Sequence, residues 1–314
     1  MIGDRVRNAI RNVAPWTNVY GLARSLIALG TLGTLVFSHS TSIFRRAVGI
    51  DRVPQCSGLA HGSYFCLFGS GHLELARWIA VVLLTVVVTG WRPRFTGIVH
   101  WWLSVSLAVS GVLVDGGDQV AQVLTLLLLP VTVTDRRKWH WQRAPTAEQT
   151  GELARLVAVS ALLIIRIQVA AIYFHAAVAK MAVTEWRNGT AVYYWFTDPM
   201  FGLPEYLRPI VMPVITHGVG VTLLTWGPML LETLLFMALL MEKRHRWLLF
   251  YAGISFHAAI AVVHGLLSFA FAMWGALILF LRPIEKEFSF AVLVHRPDWT
   301  RALMRRTVVF RTTM

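Results

Sequence analysis

The sequence predicts an all-α, polytopic transmembrane helical bundle of about eight spans, and three observations carry that expectation. Hydrophobic residues make up 56% of the 314 positions and charged residues only 14%, where a soluble domain carries about 25% charge. So few charges leave more apolar surface than one internal core can hide, and the excess must face lipid. The apolar residues are also gathered into runs near the roughly 20 residues needed to cross the hydrocarbon core. Finally, the basic residues fall between those runs rather than along one surface stripe. This is the pattern of a membrane protein and not of a nucleic-acid-binding one, despite a net charge of +13.

The runs lie at 19–37, 73–90, 96–114, 119–134, 153–181, 216–241, 247–264 and 266–282. The first follows Arg5, Arg7 and Arg11 and ends without a small-residue cleavage site, so it reads as an uncleaved span rather than a signal peptide. The second and fourth are short, and little more than Gly265 separates the last two. A re-entrant pair at either place, and a total of six or seven spans, therefore stay open. The chain divides into an N-terminal segment 1–18, a transmembrane domain 19–283 and a basic tail 284–314. The tail carries Phe288, Phe290, Val292 and Leu293, which suit it either to an anionic inner leaflet or to solvent.

Orientation follows from the charges. With the N-terminus inside, 19 of the 29 Lys and Arg residues fall in cytoplasmic segments. Five fall outside (Arg45, Arg46, Arg52, Arg187, Arg208) and five within or beside spans (Arg24, Arg77, Arg155, Arg166, Lys180). This bias places both termini in the cytoplasm and agrees with an even number of spans. Cys56 and Cys66, the only cysteines, then share the first external loop. Outside the membrane they are expected to form a disulfide that staples the loop; the alternative is a pair of free thiols in a reduced compartment. Their spacing is not that of a redox C-x-x-C pair.

Ionisable residues within spans are costly and mark cavities or partners. In the fifth span Arg166, Tyr173 and Lys180 recur every seven residues, which places them within about 40° of one another on a helix. Ala170 and Ala177 share that stripe, and Gln168 and His175 form a second one almost opposite. A helix polar on both sides is expected at the centre of the bundle. The sixth span carries Glu232, the fourth opens with Asp118, and His257 and His264 share a face of the seventh. Arg166 and Lys180 read equally as structural ion-pair partners of Glu232 or Asp118. Arg24 either snorkels or caps a carboxylate. His264 reads more simply as a solvated histidine than as a ligand. No H-E-x-x-H metal motif and no nucleophile elbow is present. Two histidines on one helix do not make a haem site, and no metal site is expected.

Four stretches resemble the SdpB family (sporulation-delaying protein B) within the HTTM superfamily. They are Pro15-Trp16-Thr17-Asn18-Val19-Tyr20-Gly21-Leu22-Ala23-Arg24, the Cys56 to Cys66 loop, Gly90-Trp91-Arg92-Pro93-Arg94-Phe95-Thr96-Gly97, and Asp115-Gly116-Gly117-Asp118-Gln119. The resemblance runs from about residue 15 to about residue 283. A fifth stretch, Tyr173 to Met181 with Trp186 and Gly189 after it, is similar to the part of vitamin K-dependent γ-carboxylase that carries its base. Lys180 matches the lysine that acts there on vitamin K hydroquinone. The resemblance thus implies an HTTM-like transmembrane core and a lysine-lined cavity open towards the outside; together with the ionisable residues of the other spans, Lys180, Asp118 and Glu232 form the candidate catalytic set. Arg166, Tyr173, His175 and His257 would line the cavity. A lysine desolvated in such a cavity loses stabilisation of its charged form and can act as a base. The chain departs from the carboxylase in having Asp118 where that enzyme has a histidine, and in lacking its large lumenal domain.

The family resemblance implies a membrane-embedded maturation factor, acting with an SdpA-like partner on an SdpC-like secreted peptide precursor. Two other readings stand beside it: a non-catalytic scaffold or export factor for the peptide, and a quinone- or lipid-binding oxidoreductase. Membrane lipids are partners in every case, and the sequence names no cofactor. The charge sorting is directly testable: reporter fusions at residues 60 and 145 should read out on opposite sides of the membrane, and the same side for both would overturn the span assignment.

Overall fold

The computed structural model describes residues 13–46, 52–112, 114–146, 149–283 and 286–288. The N-terminal segment before residue 13 and most of the expected inner-surface tail lie outside the described residues. Eight principal helices stand where the eight apolar runs place them: α1 (Asn18–Phe37), α2 (Leu73–Thr89), α3 (Pro93–Ser110), α4 (Gly116–Thr134), α5 (Glu152–Met181), α6 (Gly218–Met237), α7 (Arg246–His264) and α8 (Leu267–Leu281). Six are long and apolar enough to cross a membrane; α3 and α8 are the other two.

Each exception has a physical cause. The buried side of α3 carries Thr96, His100, Ser104, Ser106 and Ser110 beside Leu103 and Leu107, and these polar residues lower its apolar content. The 15-residue α8 is short but has its C-terminal half wholly buried, and Gly265, in the left-handed conformation at φ +71°, reverses the chain between α7 and α8.

The bundle closes on itself because its first helix packs along its last. A methyl group at Gly30 would lie 2.8 Å from the Ser268 carbonyl oxygen, and one at Gly275 would lie 2.6 Å from Ile27. Only hydrogen at these positions lets the two backbones approach, the usual device where lipid supplies no hydrophobic drive between helices. The main core then spreads from α1 and α8 to α4 and α5. A second core lies between α2, α3 and the loop after α1, where Cys56 and Cys66 are joined at 2.05 Å.

Expectation and structure differ at α5. It packs against α4, α6 and α8, yet Leu163, Ile164, Ile167, Phe174 and Val178 remain exposed along one side. The helix is therefore a wall of the bundle and not its axis. The reason is that an apolar face separates the two polar stripes, and that face is left to lipid.

Arg24 neither snorkels nor pairs with a carboxylate at ion-pair distance among the described residues. It is wholly buried, donates through Nη2 to Thr96 Oγ1 at 2.7 Å, and lies 3.5 Å through Nη1 from His140 Nδ1. His140 comes from the loop between α4 and α5, whose backbone pairs with the α2–α3 turn through His140 N to Gly90 O at 3.0 Å. Its imidazole occupies the space a side chain at Gly90 would need. On the other ring nitrogen, Nε2 lies 3.3 Å from Ser25 Oγ, which itself donates to Val88 O at 2.7 Å. A guanidinium can only donate, so Nδ1 accepts and Nε2 carries the proton. The imidazole is neutral in this arrangement.

Burial, then Arg24 and Arg137, hold the His140 pKa down to about 2. With an unfolded value near 6.5, its contribution to stability is complete above about pH 6.5 and is lost as pH falls below it. At pH 5.5 the loss should be on the order of 1 kcal/mol. Thermal unfolding in detergent from pH 7.5 to 5.5 should show this slope, and His140→Gln should flatten it. An unchanged slope in the variant would show that other groups carry it.

Candidate functional site

Four of the polar residues within spans, Tyr173, Lys180, Glu232 and His257, come together where α6 and α7 contact α5. Near the end of α5, Lys180 donates all its ammonium protons: to Glu232 Oε1 at 2.6 Å, to Glu232 Oε2 at 2.7 Å and to the Ala176 carbonyl at 3.2 Å. The Trp186 ring lies 5.4 Å from the same nitrogen. The side chains of Lys180 and Glu232 are 21% and 7% exposed, so the pair is largely withdrawn from solvent. Two turns before Lys180, the buried Tyr173 hydroxyl lies 3.0 Å from His257 Nε2 on α7. The other ring nitrogen of His257, Nδ1, is buried and has no hydrogen-bond partner among the described residues.

These groups border a cavity of about 660 Å³, within the range of roughly 300–1,000 Å³ usual for ligand sites. Tyr173, His257 and Glu232 line it, as do Gln119 and Gln122 of α4, Gln168 and His175 of α5, and Phe269 and Met273 of α8. Lys180 is not in the wall. Glu232 is therefore the member of the ion pair that the cavity reaches.

Two expected members lie elsewhere. Asp118 is buried facing α1, where its Oδ2 accepts from Thr34 Oγ1 at 2.9 Å, and it does not join Lys180 and Glu232. The cause is helical phase: consecutive residues point about 100° apart, so the α4 surface that turns Asp118 toward α1 turns Gln119 toward the cavity. Arg166 shares the Tyr173 stripe but donates from Nε to the Phe280 carbonyl of α8 at 2.8 Å, below the cavity. His264 is tied to the loop before α6, with Nδ1 2.6 Å from the Phe201 carbonyl.

The family resemblance and the helical stripes do not mark Gln119, Gln122 or Gln168 as site residues, yet all three line the cavity. The available signal is the three-residue spacing of Gln119 and Gln122, which places both on one side of α4. The polar cluster of Arg24, Ser25, Thr96 and His140 at the other end of the bundle was also unforeseen.

Comparison with known proteins bears on this geometry. Residues 144–284, which contain α5 to α8, match the HTTM domain. The chain is 43% identical over 289 residues to the uncharacterized protein YitO of Bacillus subtilis (strain 168), covering 91% of this chain and 92% of the relative. It is 35% identical over 277 residues to the sporulation-delaying protein SdpB of the same organism, covering 88% and 84%. The chain belongs to the SdpB-like family of HTTM proteins. No solved structure matches it. In this SdpB-like chain the HTTM domain supplies Tyr173, Lys180, Glu232 and His257, while Gln119 and Gln122 reach the cavity from α4, outside the matched residues.

The ion pair makes a sharp stability prediction. Lys180→Met should leave a largely buried carboxylate unpaired and destabilise the protein by about 3–5 kcal/mol. Adding Glu232→Leu should recover most of that loss. Thermal unfolding of the purified variants in detergent checks this, and a double variant no more stable than the single one would show that the contact carries little energy.

Proposed function

We propose that this SdpB-like protein is an integral membrane maturation factor for a secreted SdpC-like antibacterial peptide, working with an SdpA-like partner. In this reading both termini are cytoplasmic, and Lys180 and Glu232 act as one acid–base unit on a substrate held in the cavity. The observation that carries it is the placement of the pair: a fully hydrogen-bonded ammonium behind a carboxylate that lines a polar cavity within the span region. Its kinship to the sporulation-delaying protein SdpB supports this reading.

Moving one ammonium proton to Glu232 converts the ion pair into a neutral amine beside a neutral acid. Both forms suit a cavity removed from bulk water, because no net charge has been moved. Glu232, the member at the cavity wall, then gives its proton to the substrate and takes one back from it, while Lys180 behind it exchanges protons with Glu232 alone, so the pair serves as acid and base in turn. Tyr173 and His257 form a second hydrogen-bonded couple at the same wall and would orient the substrate.

One observation favours the scaffold reading instead: every Lys180 donor is already satisfied, as in a purely structural pair. Lys180→Arg separates the two. The guanidinium keeps the charge and the contact with Glu232 but does not release a proton at physiological pH. Proton chemistry predicts a variant that accumulates and unfolds like the natural protein yet yields no mature peptide, read by mass spectrometry of the culture medium. A fully active Lys180→Arg variant would end the acid–base role and leave the scaffold.

A further inference from the structure

We infer that the cavity holds an extended, apolar stretch of peptide whose backbone amides are read by Gln119, Gln122 and Gln168. This deepens the maturation reading and rests on it for the source of the peptide. Three carboxamides line the cavity, and none of them meets a protein hydrogen-bond partner among the described residues. A fourth polar group, His257 Nδ1, is buried at the same wall and equally unpartnered. Bare amides at membrane depth are tolerated where the cavity they face supplies their partners.

The chemistry of the wall narrows what those partners are. A carboxamide offers both donors and an acceptor, which matches a peptide group and not a hydrocarbon chain. Gln119 and Gln122 are three residues apart on α4, so their Cβ atoms lie about 5–6 Å apart. Backbone groups on one edge of an extended chain repeat every two residues, about 6.6 Å. Gln168 lines the same cavity from α5 and can serve a further peptide group of the same chain. Phe269 and Met273 of α8 complete the wall with apolar surface, so selection falls on the backbone and on apolar side chains. No lysine or arginine is present in the wall, whose one acidic side chain is Glu232, already engaged by Lys180.

The test is photolabelling of the full-length protein in detergent with a short capped apolar peptide that carries one photoreactive leucine. Label should map by mass spectrometry to α4 and α5 around Gln119, Gln122 and Gln168. The same peptide with N-methylated backbone amides should label at least about tenfold less, the loss expected from one or two buried hydrogen bonds. The triple variant Gln119→Leu, Gln122→Leu, Gln168→Leu should show the same reduction with the unmodified peptide. Equal labelling by the N-methylated peptide overturns the inference without any variant having to fold. So does displacement of the peptide by a photoreactive alkyl quinol or phospholipid that labels the same residues more strongly. These outcomes are independent of the Lys180→Arg assay: loss of maturation there with labelling indifferent to the amides would refute only the peptide cradle. Amide-dependent labelling with a fully active Lys180→Arg variant would refute only the acid–base role.

Discussion

Lys180 and Glu232 can occupy the interior of this bundle only together. Each alone would be a desolvated charge in a low-dielectric surrounding, an arrangement costing several kcal/mol per ion. Together, with the Ala176 carbonyl taking the third ammonium proton, they form a neutral unit. That requirement fixes the contact between α5 and α6, which meet antiparallel so that the end of one lies beside the last turns of the other. It also fixes what remains of α5: the stripe toward α6 and α7 is polar, the stripe toward the cavity carries Gln168 and His175, and the side between them is left apolar.

The same need for partners builds a second polar cluster at the opposite end of the bundle, with a different outcome. There Arg24, Ser25, Thr96 and His140 hydrogen-bond to one another across α1, α3 and the loop after α4, with Arg24 Nε left without a partner among the described residues, and the imidazole fills the space beside Gly90. The cluster functions as a lock, holding the α4–α5 loop against the α2–α3 turn. At the other end His257 Nδ1 and the carboxamides of Gln119, Gln122 and Gln168, without hydrogen-bond partners among the described residues, border open volume. The first cluster joins a loop to the bundle, and the second lines a cavity of about 660 Å³.

Much of this fold could be read from hydropathy alone, because a lipid-spanning helix needs a long apolar run and the eight runs are separated by charges or by Gly265. The disulfide could be read from compartment and count. The Lys180–Glu232 contact was one of several pairings that the sequence allowed, with Arg166 and Asp118 as equal candidates. What decided among them was helix phase and axial stagger, which composition does not encode. Asp118 and Gln119 are adjacent in sequence and face different neighbours; Arg166 shares the Tyr173 stripe but sits two turns lower, level with Phe280. His140 was invisible for a different reason. It lies in a polar loop, and nothing local marks a loop histidine that will be drawn into the bundle by an arginine more than a hundred residues earlier.

The site also sits at a seam. The HTTM domain spans 144–284, yet the cavity is walled by α4 as well as by α5 to α8. Within α8, Phe269 and Met273 face the cavity while Gly275 meets α1 across the closing contact of the bundle. The first half of the chain thus sets the position of α8 through α1 and supplies two carboxamides through α4. The ionisable groups come from the HTTM half alone. A division of labour follows from this placement: the HTTM half carries the proton-bearing residues, and the preceding helices shape the volume in which a substrate would meet them.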